Sequence, residues 1–237
     1  MAVQLPLRFV EGRHASLALF VPGPNAELLA YLDGLGEHAA PQTLIWGATG
    51  TGKTHLLEAA CRARNERGEA SLYLGLRAAG ELAPAVLEGL EHYALVCIDD
   101  LDAIGGRSDW ELGILTLLDR VRWRGHHLLL AAAHPADGIG ATLPDLASRL
   151  SACTGFSLHA LNDEERLEAL RRRAAARGLG LPAEVAEYLV RRCRRDMGAL
   201  CTALDQLEQT ALARQRRLSV RLARLVLDNL HAETQHG

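Results

Sequence analysis

The chain has 237 residues, 49% of them hydrophobic and 23% charged, enough apolar material for one large domain or for a larger and a smaller one. With mean hydropathy near zero, no apolar run near the roughly 18 residues of a membrane span and no charged-then-apolar leader, the expectation is a cytoplasmic protein without membrane contact. The net charge of −3 excludes a general nucleic-acid binder, yet it hides an asymmetry: residues 1–160 carry 12 basic and 18 acidic side chains, residues 161–237 carry 14 and 11, so the C-terminal part favours an anionic neighbour.

Residues 1–10 hold Pro6, which forbids a helix and favours an extended tail. Gln4 followed by spaced apolar residues suits a peptide laid in a groove; an ordinary terminal tail reads the same way. Phe20 to Asn25 is a turn-rich apolar stretch before a helix from about Ala26 to Leu35. It is either a wall for a nucleotide base or a plain packing loop.

Next comes Leu44-Ile45-Trp46, then Gly47-Ala48-Thr49-Gly50-Thr51-Gly52-Lys53-Thr54, then a helical pattern to Arg67 with Gly68 at its stop. This is G-x-x-x-x-G-K-[ST] between strand and helix, the phosphate-cradling P-loop. Of 26 basic residues the only lysine is Lys53. A compact ammonium reaches β- and γ-phosphate oxygens where a planar guanidinium does not fit. The amides of Gly50, Thr51, Gly52 and Lys53 are expected to face phosphates at the helix N-terminus, with the Thr54 hydroxyl on Mg²⁺.

Ala70 to Leu74 read as a strand, and Ala94 to Ile98 as one buried on both faces. The latter ends in Asp99-Asp100, a Walker B pair: Asp99 for the Mg²⁺ shell, Asp100 to orient or polarise water; a solvated acidic turn including Asp102 is the plainer alternative. A helix with Asp109 as N-cap runs to Arg124, and another buried strand spans His127 to Ala133. Its tip offers no carboxylate, amide or hydroxyl before His134. Pro144 suits the first turn of a helix that displays Arg149 near the sheet edge. A solvated arginine is the plain reading; in a ring-like ATPase such a residue reaches a neighbour's nucleotide rather than its own.

After a last strand, Gly155 to Leu158, only helices follow: Asn162 with Glu165 as a capping box to about Arg177, a break at Leu181-Pro182, a helix to about Arg194, one from about Asp196 to Arg214, and a fourth capped by Ser219. The Arg171–Arg173 and Arg191–Arg195 clusters read as solvated helix faces rather than a DNA-backbone surface. The five cysteines lack C-x-x-C spacing and read as buried free thiols.

The Walker A stretch GATGTGKT, the Walker B stretch LVCIDD, LPDLASRL and the four-helix end together resemble the DnaA-like AAA+ family over nearly the whole chain, and within it the regulatory-inactivator (Hda) branch. The chain ends after the lid, without the helix-turn-helix that follows in DnaA, and Gln4-Leu5-Pro6-Leu7-Arg8-Phe9 is similar to a clamp-binding hexapeptide. The resemblance implies an α/β P-loop AAA+ domain with a parallel sheet (13–160), a small all-α lid (161–237) and a clamp-binding tail (1–12) that uses Gln4, Leu5, Leu7 and Phe9. It implies ADP or ATP with Mg²⁺, held by Gly47, Gly50, Thr51, Gly52, Lys53, Thr54, Val21, Pro22 and Leu181, with Thr54 and Asp99 toward the metal. Partners would be the DNA polymerase III sliding clamp (the beta subunit) and DnaA, with DNA met mainly through the clamp; monomer and homodimer both stay open. Arg149 would act in trans on DnaA-bound ATP as an arginine finger, Asp100 remaining a catalytic candidate, so that replication initiation is negatively regulated. The rival is an autonomous AAA+ ATPase of helicase-loader type. Ala133 stands where DnaA-like proteins carry a sensor aspartate, and Gly198 where the lid sensor arginine would fall; Arg194 and Arg195 lie nearby but out of that register. Their absence points to a holder of ADP with weak or no hydrolysis of its own.

Overall fold

Runs rich in Leu, Ile and Val at β1 (Gln42–Trp46), β3 (Leu95–Asp99) and β4 (His127–Ala132) are buried along nearly their whole length, as befits central parallel strands covered on both faces. With β2 (Ser71–Gly75) and β5 (Thr154–Ser157) they form one parallel sheet in the order β2-β3-β4-β1-β5. The computed structural model describes residues 16–35, 41–77, 83–193 and 196–234. They divide into two compact units. The second contains Ala18–Pro24, Thr49–Gly52 and the described residues from Ala160 onward; the first holds the other described residues.

In the first unit, alternation along each strand sorts side chains to two faces. Leu44, Val96, Ile98, Leu128 and Leu130 pack with Trp110, Ile114, Leu117, Leu118 and Val121 of α3 (Ser108–Arg124) and with Leu146 and Leu150 of α4 (Pro144–Ser151). The alternate residues Ile45, Cys97 and Leu129 are equally buried, and α2 (Lys53–Glu66) packs on β2, β3 and β4. A short helix α1 (Ala26–Asp33) buries Leu28 and Leu32. Asn25 before it exchanges two hydrogen bonds with the His159 backbone, at 3.0 and 2.8 Å. Pro144 opens α4 as expected. Asp109 is not the cap of α3: the helix begins at Ser108, and the Asp109 carboxylate accepts from the next amide, Trp110.

Glu111 is the unexpected core residue of this unit. Fully buried on α3, its carboxylate accepts from the amides of Gly106 (2.9 Å), Thr142 (3.0 Å) and Leu143 (2.8 Å) and from the Thr142 hydroxyl (3.0 Å). It thereby joins the loop after β3 to the start of α4.

The second unit contains α5 (Asp163–Ala176), α6 (Ala183–Arg192), α7 (Met197–Ala213) and α8 (Val220–Thr234), packed around Leu170, Val185, Leu189, Leu200, Leu204, Leu207 and Val226. The capping box opens α5: Asn162 Oδ1 accepts from the Glu165 amide, and Glu165 Oε2 from the Asn162 amide. Arg177 joins Asp205 and Glu208 of α7, while Arg172 and Arg191 pair with Glu168 and Glu187 one turn away. Those arginines answer the unit's own acids. Arg194 and Arg195 lie outside the described residues. All five cysteines are free; Cys61 and Cys97 are buried, whereas Cys153, Cys193 and Cys201 are half-buried. Burial pushes the Cys153 and Cys193 thiols up to about 11, which leaves them unreactive. No described helix is long and apolar enough to cross a membrane.

Burial alone would raise the pKa of Glu111, but the donors of Thr142, Leu143 and Gly106 outweigh it and hold the carboxyl below its ordinary value. Replacing it by glutamine turns an amide toward amides, so Glu111→Gln is expected to cost about 2–4 kcal/mol in urea unfolding. Because the folded pKa is depressed, the wild-type advantage is present above the unfolded value of 4.5 and shrinks as pH falls through the folded one. An advantage that grows on acidification contradicts the assignment.

Candidate nucleotide-phosphate site

The parallel register pairs Tyr73 with Cys97 and Gly75 with Asp99, so Tyr73, Gly75, Cys97 and Asp99 share one face of neighbouring strands. Asp99, only 1% exposed at the end of β3, needs donors, and three meet it. The Thr54 hydroxyl, from the first turn of α2, donates to Oδ2 at 2.6 Å. The Tyr73 phenol donates to the same oxygen at 3.0 Å, and the Asp100 amide to Oδ1 at 2.9 Å. Burial, with Asp99 alongside, holds the Tyr73 pKa far above its ordinary value, so it is a firm donor. Tyr73 was not among the residues read from the sequence.

Lys53 opens α2 and donates to the carbonyls of Gly47 (2.5 Å) and Ala48 (3.1 Å). Burial lowers its pKa against the opposing pull of Asp99, Asp102 and Asp100. A Cβ on Gly47 would run into the Leu158 carbonyl, so glycine is required there. Asp100 has left-handed backbone (φ 57°, ψ 43°), a conformation that non-glycine residues adopt chiefly where the surroundings impose it. Its carboxylate lies 3.6 Å from Arg77, and burial together with the Asp99 charge raises its pKa.

At the tip of β4, the carboxylate missing from the strand itself arrives from the loop after β3. Asp102 Oδ2 accepts the Ala133 amide at 2.5 Å, and Oδ1 lies 3.0 Å from His134 Nδ1. Asp102 is therefore no freely solvated member of an acidic turn.

In the second unit, Gly50 and Gly52 have φ of +82° and +104°, open only to glycine without strain. Asp196 caps α7 by accepting the Gly198 amide at 2.7 Å, and it lies against Gly50, where an added Cβ would fall 2.5 Å from its carboxylate. The Met197 amide donates to the Gly50 carbonyl at 3.1 Å. Gly198 thus stands in the first turn of α7 with its amide occupied. Val21 is buried, Pro22 is exposed, and Leu181 packs against the helical core.

Arg149 projects from the last turn of α4, and its guanidinium reaches Asp119 on α3 at 3.1 Å, both side chains being about half exposed. Leu112 and Trp123, 58% and 85% exposed, lie seven residues before and four after Asp119, on the same stripe of α3. Gln4, Leu5, Leu7 and Phe9 fall outside the described residues.

Thr54 and Asp99 thus stand together on the first unit as a hydroxyl and a carboxylate suited to Mg²⁺ brought by a phosphate. Among the described residues no group of three or more His, Cys, Asp or Glu is arranged to hold a metal by itself. Phosphate oxygens would have to complete the shell.

Residues 163–227 match the family model described as "Hda, lid domain". The crystal structure of domain III of the Thermotoga maritima replication initiation protein DnaA is similar with a TM-score of 0.77 at 18% identity, covering 92% of this chain and 97% of that one. AMPPCP-bound DnaA from Aquifex aeolicus gives 0.67 at 18% identity over 84% and 66%. The Thermotoga maritima RuvB Holliday junction branch migration motor gives 0.65 at 15% identity over 91% and 72%.

Removing the Asp102 carboxylate leaves the Ala133 amide without its acceptor. Asp102→Ala is expected to lower unfolding free energy by about 1–3 kcal/mol in urea denaturation. A midpoint equal to wild type would show that water replaces the carboxylate at no cost.

Proposed function

We propose that this chain, a DnaA-like AAA+ protein with an Hda lid domain, is a nucleotide-holding regulator of replication initiation that acts on DnaA rather than an engine in its own right. The observation that carries this reading is Arg149. Its guanidinium is half exposed and engaged by a carboxylate that is itself exposed, a pairing worth no more than about 1 kcal/mol, so a stronger anion can displace Asp119. Exposed Leu112 and Trp123 on the same stripe of α3 supply apolar contact for a protein partner there.

The chemistry follows from the residues. ADP is bound by the P-loop: glycines at Gly50 and Gly52 open the backbone, and Lys53 exchanges the carbonyls of Gly47 and Ala48 for phosphate oxygens. Thr54 and Asp99 would hold Mg²⁺, which when bound neutralises phosphate charge. Val21, Pro22 and Leu181 belong to the nucleotide-contacting set by the family resemblance. The N-terminal hexapeptide docks on the DNA-loaded sliding clamp and concentrates the protein where DnaA acts. Arg149 then faces the γ-phosphoryl group of ATP on DnaA, where it stabilises charge developing in hydrolysis. With Ala133 at one sensor position and Gly198 at the other, hydrolysis by the chain itself is weak. The complete Walker pair Asp99 and Asp100 favours the alternative, an autonomous ATPase of helicase-loader type.

The deciding experiment is hydrolysis of DnaA-bound ATP on clamp-loaded DNA with ADP present, comparing wild type and Arg149→Ala, beside single-turnover hydrolysis by the chain alone. Arginines in this role are worth about 10³–10⁵ in rate, so Arg149→Ala should return DnaA hydrolysis to its unstimulated level while ADP binding persists. Stimulation that survives the substitution makes Arg149 a surface residue. Fast turnover by the chain alone selects the autonomous ATPase. Separately, Gln4→Ala or Leu5→Ala should remove clamp association in a pull-down and leave ADP affinity unchanged; retained clamp binding would refute the docking role.

A further inference from the structure

We propose that Tyr73 is a positioning residue which holds Asp99 in place of a magnesium-bound water, so that the site binds a nucleoside diphosphate with little dependence on Mg²⁺. The proposal rests on the nucleotide-binding reading of the P-loop and says how that site treats its metal.

A carboxylate oxygen offers two good acceptor positions. Oδ2 of Asp99 has both filled, by the Thr54 hydroxyl at 2.6 Å and the Tyr73 phenol at 3.0 Å, and Oδ1 accepts the Asp100 amide. In a P-loop site the Ser/Thr hydroxyl can keep its bond to the Walker B acid while its lone pair faces Mg²⁺. Protein donors thus fill three of the four acceptor positions of the carboxylate: the phenol takes the one on Oδ2 that Thr54 leaves, and a single position on Oδ1 stays for a water that a Mg²⁺ shell would bring. The fit is built into the strands: Tyr73 and Gly75 share the Asp99 face, and Gly75, directly opposite Asp99, presents no side chain to block the phenol. An added Cβ at Gly75 would lie 3.3 Å from the Tyr73 oxygen. With Asp99 1% exposed, no bulk water competes for that position. The phenol also disperses the Asp99 charge, which lessens its repulsion of a diphosphate when no cation is present.

Tyr73→Phe keeps the ring and removes the donor. ADP affinity is measured by calorimetry for both proteins in excess MgCl₂ and in EDTA, with unfolding midpoints checked in parallel. Wild type should change by less than about threefold on loss of Mg²⁺. The variant should lose on the order of tenfold or more, the worth of one hydrogen bond to a charged group. A wild type that itself loses tenfold in EDTA overturns the proposal, even should the variant fail to fold. Equal ratios in the two proteins overturn it as well, because a purely packing role for the ring would not separate them. Absence of ADP binding in wild type under both conditions defeats the nucleotide reading itself, a result distinct from either.

Discussion

A buried carboxylate at the end of a central strand sets the terms for everything around it. Asp99 cannot keep its charge away from water unless donors surround it, and the donors come from three separate elements: α2 through Thr54, β2 through Tyr73, and its own chain through the Asp100 amide. Each donor fixes a boundary. Thr54 holds the first turn of α2 against β3, which in turn places Lys53 one residue earlier. Tyr73 holds β2 in register. The Asp100 amide reaches Oδ1 with left-handed backbone at Asp100, which turns the chain out of the strand.

Further acids repeat this logic away from the P-loop. Glu111, buried in α3, gathers the backbone amides of Gly106, Thr142 and Leu143, and Asp102 gathers the Ala133 amide and His134. In each case a charge answers backbone donors that regular structure leaves unmet, so loops are fixed by ionised side chains rather than by apolar packing. Glu111 also joins the loop beyond the Walker B strand to the helix that carries Arg149. That helix therefore inherits its position from the strand end that carries Asp99 and Asp100.

How much of this could be read in the chain depends on the range of each interaction. Local ones were legible. The continuous apolar runs at β1, β3 and β4, the P-loop motif and the Asn162–Glu165 capping box are all settled within a few residues. The ends of β2, β3 and β5 shifted by one and β4 stops one residue sooner, at Ala132, because an apolar run marks the body of a strand and not the residue that makes its last ladder hydrogen bond. Asp109 was misread as a cap because Asp is a good cap wherever it stands, and sequence does not show that Ser108 already begins the helix. Tyr73 could not be tied to Asp99 without the strand register, which one sequence does not contain. Glu111 did leave a signal: with Ile114, Leu118 and Val121 it falls on the apolar stripe of α3, and an acid on such a stripe demands a buried partner. The distant partners, Thr142 and Leu143, left no mark.

The Arg149–Asp119 pair shows why a weak contact serves the proposed mechanism better than a strong one. An arginine clamped by a buried bidentate carboxylate would have to lose several kcal/mol before reaching another anion. Left without any partner, the long side chain would spread over many rotamers and surrender that freedom on contact. A single exposed carboxylate at 3.1 Å narrows the rotamers while costing at most about 1 kcal/mol to leave. A triphosphate carries more charge than one carboxylate, and a partner that covers Leu112 and Trp123 would also exclude the water that screens Asp119. Excluding that water would strengthen both pairings, the one with the triphosphate more because of its larger charge, which places the gain in the assembled complex rather than in the free chain.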